Sequence, residues 1–371
     1  MKILQINAGL ENGGGLFHII NLMSQAKKED ADFTLLTLAD GPVRRAARKA
    51  GVRVISLKTK SRYDLGALKR LTRLINDGHY DIVHTHGARS NLYVALIRKK
   101  VHAKWVITVH SDPYQDFEGR GVLGALFTKL NVNALKKADL LLAITPHFSR
   151  LLQQKTGISA NRIHVIYNGI SFSEDDRIPS RKAHDAFNII NVARSEKIKG
   201  QKLLLLALKR LNDPDLQLHF VGDGTELPNL KALTNQLGLQ AQVTFHGFLN
   251  HQEIDALYRE MDLAALTSYS ESFPLVLLEA GDRLVPLLTT DVGDMDQMIP
   301  DDRHGFVVPV ADVPAISHAI AKASALTADE RKSMALAEKK YLTAHFSLHQ
   351  QFKTIWAAYE VCVEADHDRK D

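Results

Sequence analysis

The sequence predicts an α/β protein made of two doubly wound, Rossmann-like domains that face each other across a cleft. Three observations lead there. The chain has 371 residues, too many for one ordinary core and comfortable for two. Short β-branched or leucine-rich runs alternate with longer helical patterns throughout, as parallel sheets with crossover helices require. Between 171 and 186 the segment SFSEDDRIPSRKAHDA is charged, poor in large apolar residues and interrupted by a proline, which marks a linker.

Taken in order, the first domain (1–175) carries strands expected at 3–7, 33–38, 52–57, 82–84, 105–109, 140–144 and 163–166. The second (184–346) carries them at 187–192, 217–221, 243–245, 263–266, 286–290 and 306–308. Helical patterns separate them. From Thr327 the chain reads as helix, with Phe352, Ile355, Trp356, Tyr359 and Val363 at helical spacing, and the last helix (347–364) is expected to pack back on the first domain. In such sheets ligands sit at the carboxyl ends of the strands, so the loops after strands are where function is sought.

Apolar residues make up 45% and charged residues 24%, the composition of a globular chain. Cys362 stands alone, which excludes an internal disulfide and suggests a reducing compartment. The apolar run after Lys2 is too short for a signal peptide, and no stretch approaches the roughly 18 residues of a membrane span. A cytoplasmic location is expected, with peripheral contact at the inner face of the plasma membrane.

Net charge is +5 and unevenly spread: residues 1–180 hold 27 Lys and Arg against 15 Asp and Glu, and the remainder 20 against 27. Eleven basic side chains and the single acid Asp64 fall within 44–73, which points to an anionic membrane surface as partner. Nucleic acid is not expected, because no recognition motif or interleaved aromatic set accompanies the charge.

Gly13, Gly14 and Gly15 follow the first strand and precede a helical pattern, where bare N–H groups make an anion seat. His18 breaks the G-x-G-x-x-G fingerprint, so a nicotinamide dinucleotide is disfavoured despite Asp40 at the end of the second strand. Arg194 ends the first strand of the second domain and Lys199-Gly200 opens the next helix, a fork and a point charge of the kind a diphosphate needs. Val221-Gly222-Asp223-Gly224 and His246-Gly247-Phe248 end the following strands on loops whose backbone is suited to a base edge. His84, His86 and Arg89 (H-T-H-G-A-R) are expected just past a strand as an acceptor-side wall. No third or fourth ligand follows at metal spacing, and the D-x-D pairs at 213/215, 294/296 and 366/368 are badly placed, so no metal is expected.

The run ESFPLVLLE sets Glu271 and Glu279 eight positions apart around an apolar core. Pro274 is expected to open a helix, because its fixed φ fits the first turn and its missing N–H costs nothing there. Glu279 then falls in the second turn, and Leu275, Val276, Leu277 and Leu278 cover every side, which predicts burial. A buried carboxylate is costly unless a partner or ligand satisfies it.

In this order these residues resemble the retaining glycosyltransferases of family four, which have the GT-B fold, from Met1 to about Phe346. Ser268, Glu271, Phe273, Pro274 and Glu279 look like the family's S-x-x-E-G-F-P and E-x7-E signature. The resemblance implies that Glu271 holds hydroxyls of the transferred sugar, that amides around Ser272, Phe273, Pro274 and Leu275 take the diphosphate, and that Glu279 holds the ribose. Arg194 and Lys199 are similar to the diphosphate pair, Asn168-Gly169-Ile170 to N-G-I-D, and Thr108-Val109-His110 to T-x-H, whose histidine lies beside the sugar. Leu16, Ser171, Leu284, Asp294 and Gln297 depart from the family pattern.

The activity so implied is metal- and cofactor-independent transfer of a hexose or N-acetylhexosamine, with retention. The expected donor is a nucleotide diphosphate sugar, UDP-linked, and the acceptor a hydroxyl on a lipid-linked or cell-envelope saccharide. A non-catalytic partner of another transferase and a sugar-nucleotide epimerase are the alternatives; loss of either glutamate or of Arg194 would have favoured the former.

Overall fold

The computed structural model describes residues 1–11, 14–59, 64–117, 119–175 and 186–364. Gly13, most of the linker, residues 60–63 of the basic stretch and Asp366 and Asp368 lie outside them.

The chain forms two compact units, Met1–Gly169 with the segment from Leu348 onward, and Ile170–Ser347. The first is built on seven parallel strands: β1 Lys2–Asn7, β2 Asp32–Thr37, β3 Val54–Ser56, β4 Ile82–His86, β5 Lys104–Val109, β6 Leu140–Ala143 and β7 Ile163–Val165. Their order is β3-β2-β1-β4-β5-β6-β7, so the winding reverses between β1 and β4. The second has β8 Phe187–Val192, β9 Leu216–Val221, β10 Val243–Gly247, β11 Leu263–Leu266, β12 Leu287–Thr290 and β13 Phe306–Val308 in the order β10-β9-β8-β11-β12-β13, reversing between β8 and β11. Every expected strand is present. β4 runs further than expected, because Thr85 and His86 stay in register with Ile107 and Thr108 of β5.

Helices cover both faces of each sheet, and this explains why the strands read as continuous apolar runs rather than alternating ones. In the first unit Leu4 and Ile6 face one cluster, with Trp105, Ile107 and Leu141, while Ile3 faces the other, with Phe33, Val106, Phe352, Ile355 and Tyr359. The last three come from helix Leu348–Glu364, whose aromatic stripe is thus structural. Residues 170–175 go with the second unit rather than the first: Ile170 N donates to Phe346 O at 3.1 Å and Ser173 N to Asp282 Oδ1 at 2.8 Å.

Candidate active site

The switch point of the second sheet is where a doubly wound fold leaves a crevice, and two loops meet there. Residues 193–200 follow β8 and residues 267–274 follow β11. Tyr269 N donates to Ile198 O at 2.8 Å, Thr267 Oγ1 to Gly200 O at 3.1 Å, and Thr290 Oγ1 to Ser268 O at 2.6 Å. Gly200 has φ +61°, and a Cβ there would stand 2.0 Å from Thr267 O, so no other residue allows this approach.

The stitching brings Lys199 Nζ within 2.7 Å of Glu271 Oε1, and Ser268 Oγ donates to the same oxygen at 2.5 Å. The Glu271 side chain is 8% exposed and that of Lys199 19%. Two residues expected to hold different parts of a ligand therefore form one ion pair. Among the described residues Glu271 Oε2 accepts no hydrogen bond, which leaves it for a hydroxyl. Arg194 is exposed at the end of β8 and enters no ion pair among the described residues.

Pro274 stands at the N-cap, one residue before helix Leu275–Asp282, so the first free amides of the helix are those of Leu275 and its successor. The dipole there favours an anion. Ser272 is exposed, and the Phe273 ring is buried against Phe346, which leaves its backbone as the part that can serve a ligand. Burial of the helix is one-sided, contrary to the expectation from its leucines: Leu277 and Leu278 are buried, Leu275 and Val276 only half so. Glu279 lies on this partly open helix without a hydrogen bond among the described residues. Its burial raises the carboxyl pKa, against the opposing pull of His251 and Arg283. Arg283 is not its partner, being bonded to Asp255 and Asp282.

The glycine loops after β9 and β10 act differently from expectation. A Cβ on Gly222 would meet Ala193 O at 2.0 Å and one on Gly224 would meet Ser195 O at 2.4 Å. These glycines lock the β8 loop instead of baring backbone. Gly247 has φ +67° and open space around it, its carbonyl accepts from Gly222 N at 2.8 Å, and Phe248 beside it is 79% exposed. An exposed ring, rather than a free peptide edge, is what this loop offers.

In the first unit Gly14 and Gly15 open helix Gly14–Lys28. The anion seat expected there meets the chain's own acid, since a Cβ on Gly15 would stand 3.1 Å from Glu11 Oε2. Asn7 Nδ2 donates to that oxygen at 2.7 Å, and burial raises the pKa of Glu11. His84 and His86 lie within β4, not past it, and both are fully buried. His84 Nδ1 is 2.6 Å from Tyr359 Oη and Nε2 2.7 Å from Thr108 Oγ1, so neither nitrogen is left for an acceptor. Arg89 turns elsewhere, to Thr59 Oγ1 at 3.4 Å and over the Tyr93 ring. The expected wall of His84, His86 and Arg89 is not assembled.

His110 is half-buried and packs instead against His18, ring centroids 4.6 Å apart, with His86 at 5.9 Å. Burial lowers the pKa of His84, His86 and His110 well below the usual value and that of His18 to about 4, which favours the neutral form of each ring. Sequence reasoning gave Glu11, His18 and Gln5 no place in a site. Gln5 and Asn7, polar residues inside the apolar strand β1, were the available signal.

Parallel, doubly wound sheets in both units are the architecture of the GT-B fold. Residues 12–174 match the family model described as Glycosyltransferase Family 4, and residues 172–341 that of the glycosyl transferases group 1. The chain belongs to the family-four glycosyltransferases. The D-inositol 3-phosphate glycosyltransferases of Mycobacterium sp. (strain KMS) and M. tuberculosis (strain H37Ra) are similar, 29% identical over 311 residues and 28% over 349. These matches cover 76% and 86% of this chain and 70% and 72% of the relatives. Among solved structures, HepE of Anabaena in complex with UDP aligns with TM-score 0.80 at 20% identity, over 97% of this chain and 100% of that one. The lipopolysaccharide outer core galactosyltransferase WaaB aligns with TM-score 0.74 at 20% identity, over 96% and 98%.

Proposed function

We propose that the protein transfers a hexose or N-acetylhexosamine, with retention and without a metal or other cofactor, from a UDP-linked sugar to a hydroxyl on a lipid-linked or cell-envelope saccharide. The observation that carries this reading is the Lys199–Glu271 pair at the β8/β11 switch point, with Glu279 unsatisfied nearby in sequence on the following helix. Glu271 Oε2 accepts sugar hydroxyls, Lys199, Arg194 and the helix-start amides steady the departing diphosphate, and Glu279 takes the ribose. His110 takes the sugar-contacting role that the family resemblance gives it. The glutamates bind and are not nucleophiles; the leaving phosphate draws the acceptor proton in a like-side attack. UDP as the nucleotide is supported by the complexes of HepE with UDP and with UDP-glucose.

Nucleotide protection against heat unfolding tests this, since a ligand at a hundred times its dissociation constant adds about 2.7 kcal/mol. Uridine donors are expected to protect more than guanosine or adenosine donors. No protection by any of them would favour the non-catalytic partner, and release of a free epimerised sugar nucleotide would favour the epimerase.

An anionic membrane surface completes the reading. Within 44–73, Arg44 pairs with Asp40 and Arg70 with Asp64, which also caps helix Leu65–Asp77, so part of that charge is internally satisfied. A second surface supports membrane contact. Helix Gly121–Lys137 exposes Val122 (88%), Leu123 (65%), Leu126 and Leu130 beside Arg120, Lys129, Lys136 and Lys137, an apolar face edged with positive charge. Among the described residues no helix is long and apolar enough to cross a membrane. Flotation with phosphatidylserine vesicles is expected, falling as salt rises and in a Leu123→Glu, Leu126→Glu double variant. Equal binding to neutral vesicles would dismiss the electrostatic part.

A further inference from the structure

One ring nitrogen from each of His18, His86 and His110 lies within 4.8 Å of the other two. Among the described residues His18 Nε2, His86 Nδ1 and His110 Nε2 are also buried without a hydrogen-bond partner. One such orphan costs about 1–3 kcal/mol. Three on neighbouring rings form a ligand set.

For His18 and His86 the contacts of the opposite nitrogens indicate which lone pairs are bare. His18 Nδ1 lies 2.9 Å from Asn168 Oδ1 and 3.3 Å from the Gln351 amide nitrogen; the shorter contact, to an acceptor, puts the proton on Nδ1 and leaves Nε2 unprotonated. His86 Nε2–H donates to Gln5 Oε1 at 2.7 Å, which leaves Nδ1 unprotonated. Gln5 is turned for this role because its own Nε2 donates to Tyr359 Oη at 2.9 Å. A carbonyl or amide behind the ring is the usual way a metal-binding histidine is oriented. His84, the fourth ring, is excluded because both of its nitrogens are engaged.

We propose that His18, His86 and His110 form a site for a borderline transition-metal ion of the Zn2+ class, and that its occupancy inhibits glycosyl transfer by drawing His110 away from the sugar. The inhibitory part rests on the sugar-contacting role given to His110 above. Three imidazoles and one open position are the ligand set of many zinc sites, with water as the fourth ligand. Magnesium and calcium prefer oxygen ligands and are not expected to bind. Tetrahedral ligands at about 2.0–2.1 Å stand about 3.4 Å apart, so the nitrogens must close in. His110, half-buried directly after β5, is the most exposed of the three rings, and the closing movement is assigned to it. The site lies within the first unit and leaves diphosphate handling, assigned to the second, without a metal.

The test uses the metal-free full-length protein. One equivalent of Co2+ should give the visible absorption of four-coordinate cobalt, and Zn2+ should bleach it. Saturating Zn2+ should slow transfer about tenfold or more, reversibly with a chelator, while Mg2+ should do neither. His18→Gln should lose the band and the inhibition, and Asn168→Ala, outside the ligand set, should weaken the metal about 10–100-fold. Wild-type protein without a cobalt band overturns the site, whether or not the variants fold. A band that persists in a folded His18→Gln variant overturns the ligand assignment. Cobalt binding with transfer undiminished at saturating Zn2+ overturns the inhibition and, separately from nucleotide binding, the role given to His110.

Discussion

Replacing Lys199 with methionine is expected to lower kcat/KM for glycosyl transfer about 10²–10³-fold, the loss typical of removing one preorganised donor to a developing anion. It should also cost stability, because Glu271 is only 8% exposed and keeps a single hydroxyl partner once the ammonium is gone. Breaking a fully buried pair costs about 3–5 kcal/mol, and the 19% exposure of Lys199 reduces this to about 2 kcal/mol. The double variant Lys199→Met, Glu271→Gln separates the effects. It should recover most of the stability, since no charge is left unpaired, and none of the activity. Urea unfolding and initial rates on the same preparations read both. Equal stability of the single and double variants would mean that the pair is not formed in solution.

Glu279→Gln should move binding and stability in opposite directions. Loss of a charged acceptor for vicinal hydroxyls is expected to weaken nucleotide binding about 10–100-fold, or about 1.4–2.8 kcal/mol. The same change removes a half-buried carboxylate that no described residue bonds. Because burial raises its pKa, the folded state holds the proton more tightly than the unfolded chain. Stability is therefore lost as pH rises from the ordinary carboxylate value through the raised one. The glutamine variant should be more stable than the wild type at pH 7 and no more stable at pH 4. Calorimetric titration with UDP and denaturation at the two pH values check both signs. A variant that binds UDP normally would release Glu279 from the site.

The fold was legible because doubly wound sheets repeat a short apolar run and a helical pattern, and each of the thirteen strands announces itself locally. The site in the second unit was legible in its parts, since Lys199 and Glu271 lie in loops that follow strands and Glu279 falls in the helix that the Pro274 run announces. Their arrangement was not: Lys199 and Glu271 are 72 positions apart and meet only because Gly200 lets two loops touch. The histidine cluster was hidden for the same reason. His86 ends β4 and His110 directly follows the adjacent strand β5, but His18 comes from a helix whose place over the sheet no spacing reveals. Val122, Leu123, Leu126 and Leu130, which the sequence did not single out, face outward, while Asn131, Val132, Ala134 and Leu135 of the same helix are buried. Periodicity finds an apolar face without saying which side of the helix the sheet will take.

Amide hydrogen exchange, with and without UDP, tests most directly whether the nucleotide is held at the β8/β11 switch point of the second unit. UDP is expected to slow exchange in peptides spanning 192–200 and 268–280, with the largest change at the start of helix Leu275–Asp282. If UDP binds and these peptides exchange as fast as before, the nucleotide sits elsewhere and the site described here is not the donor site.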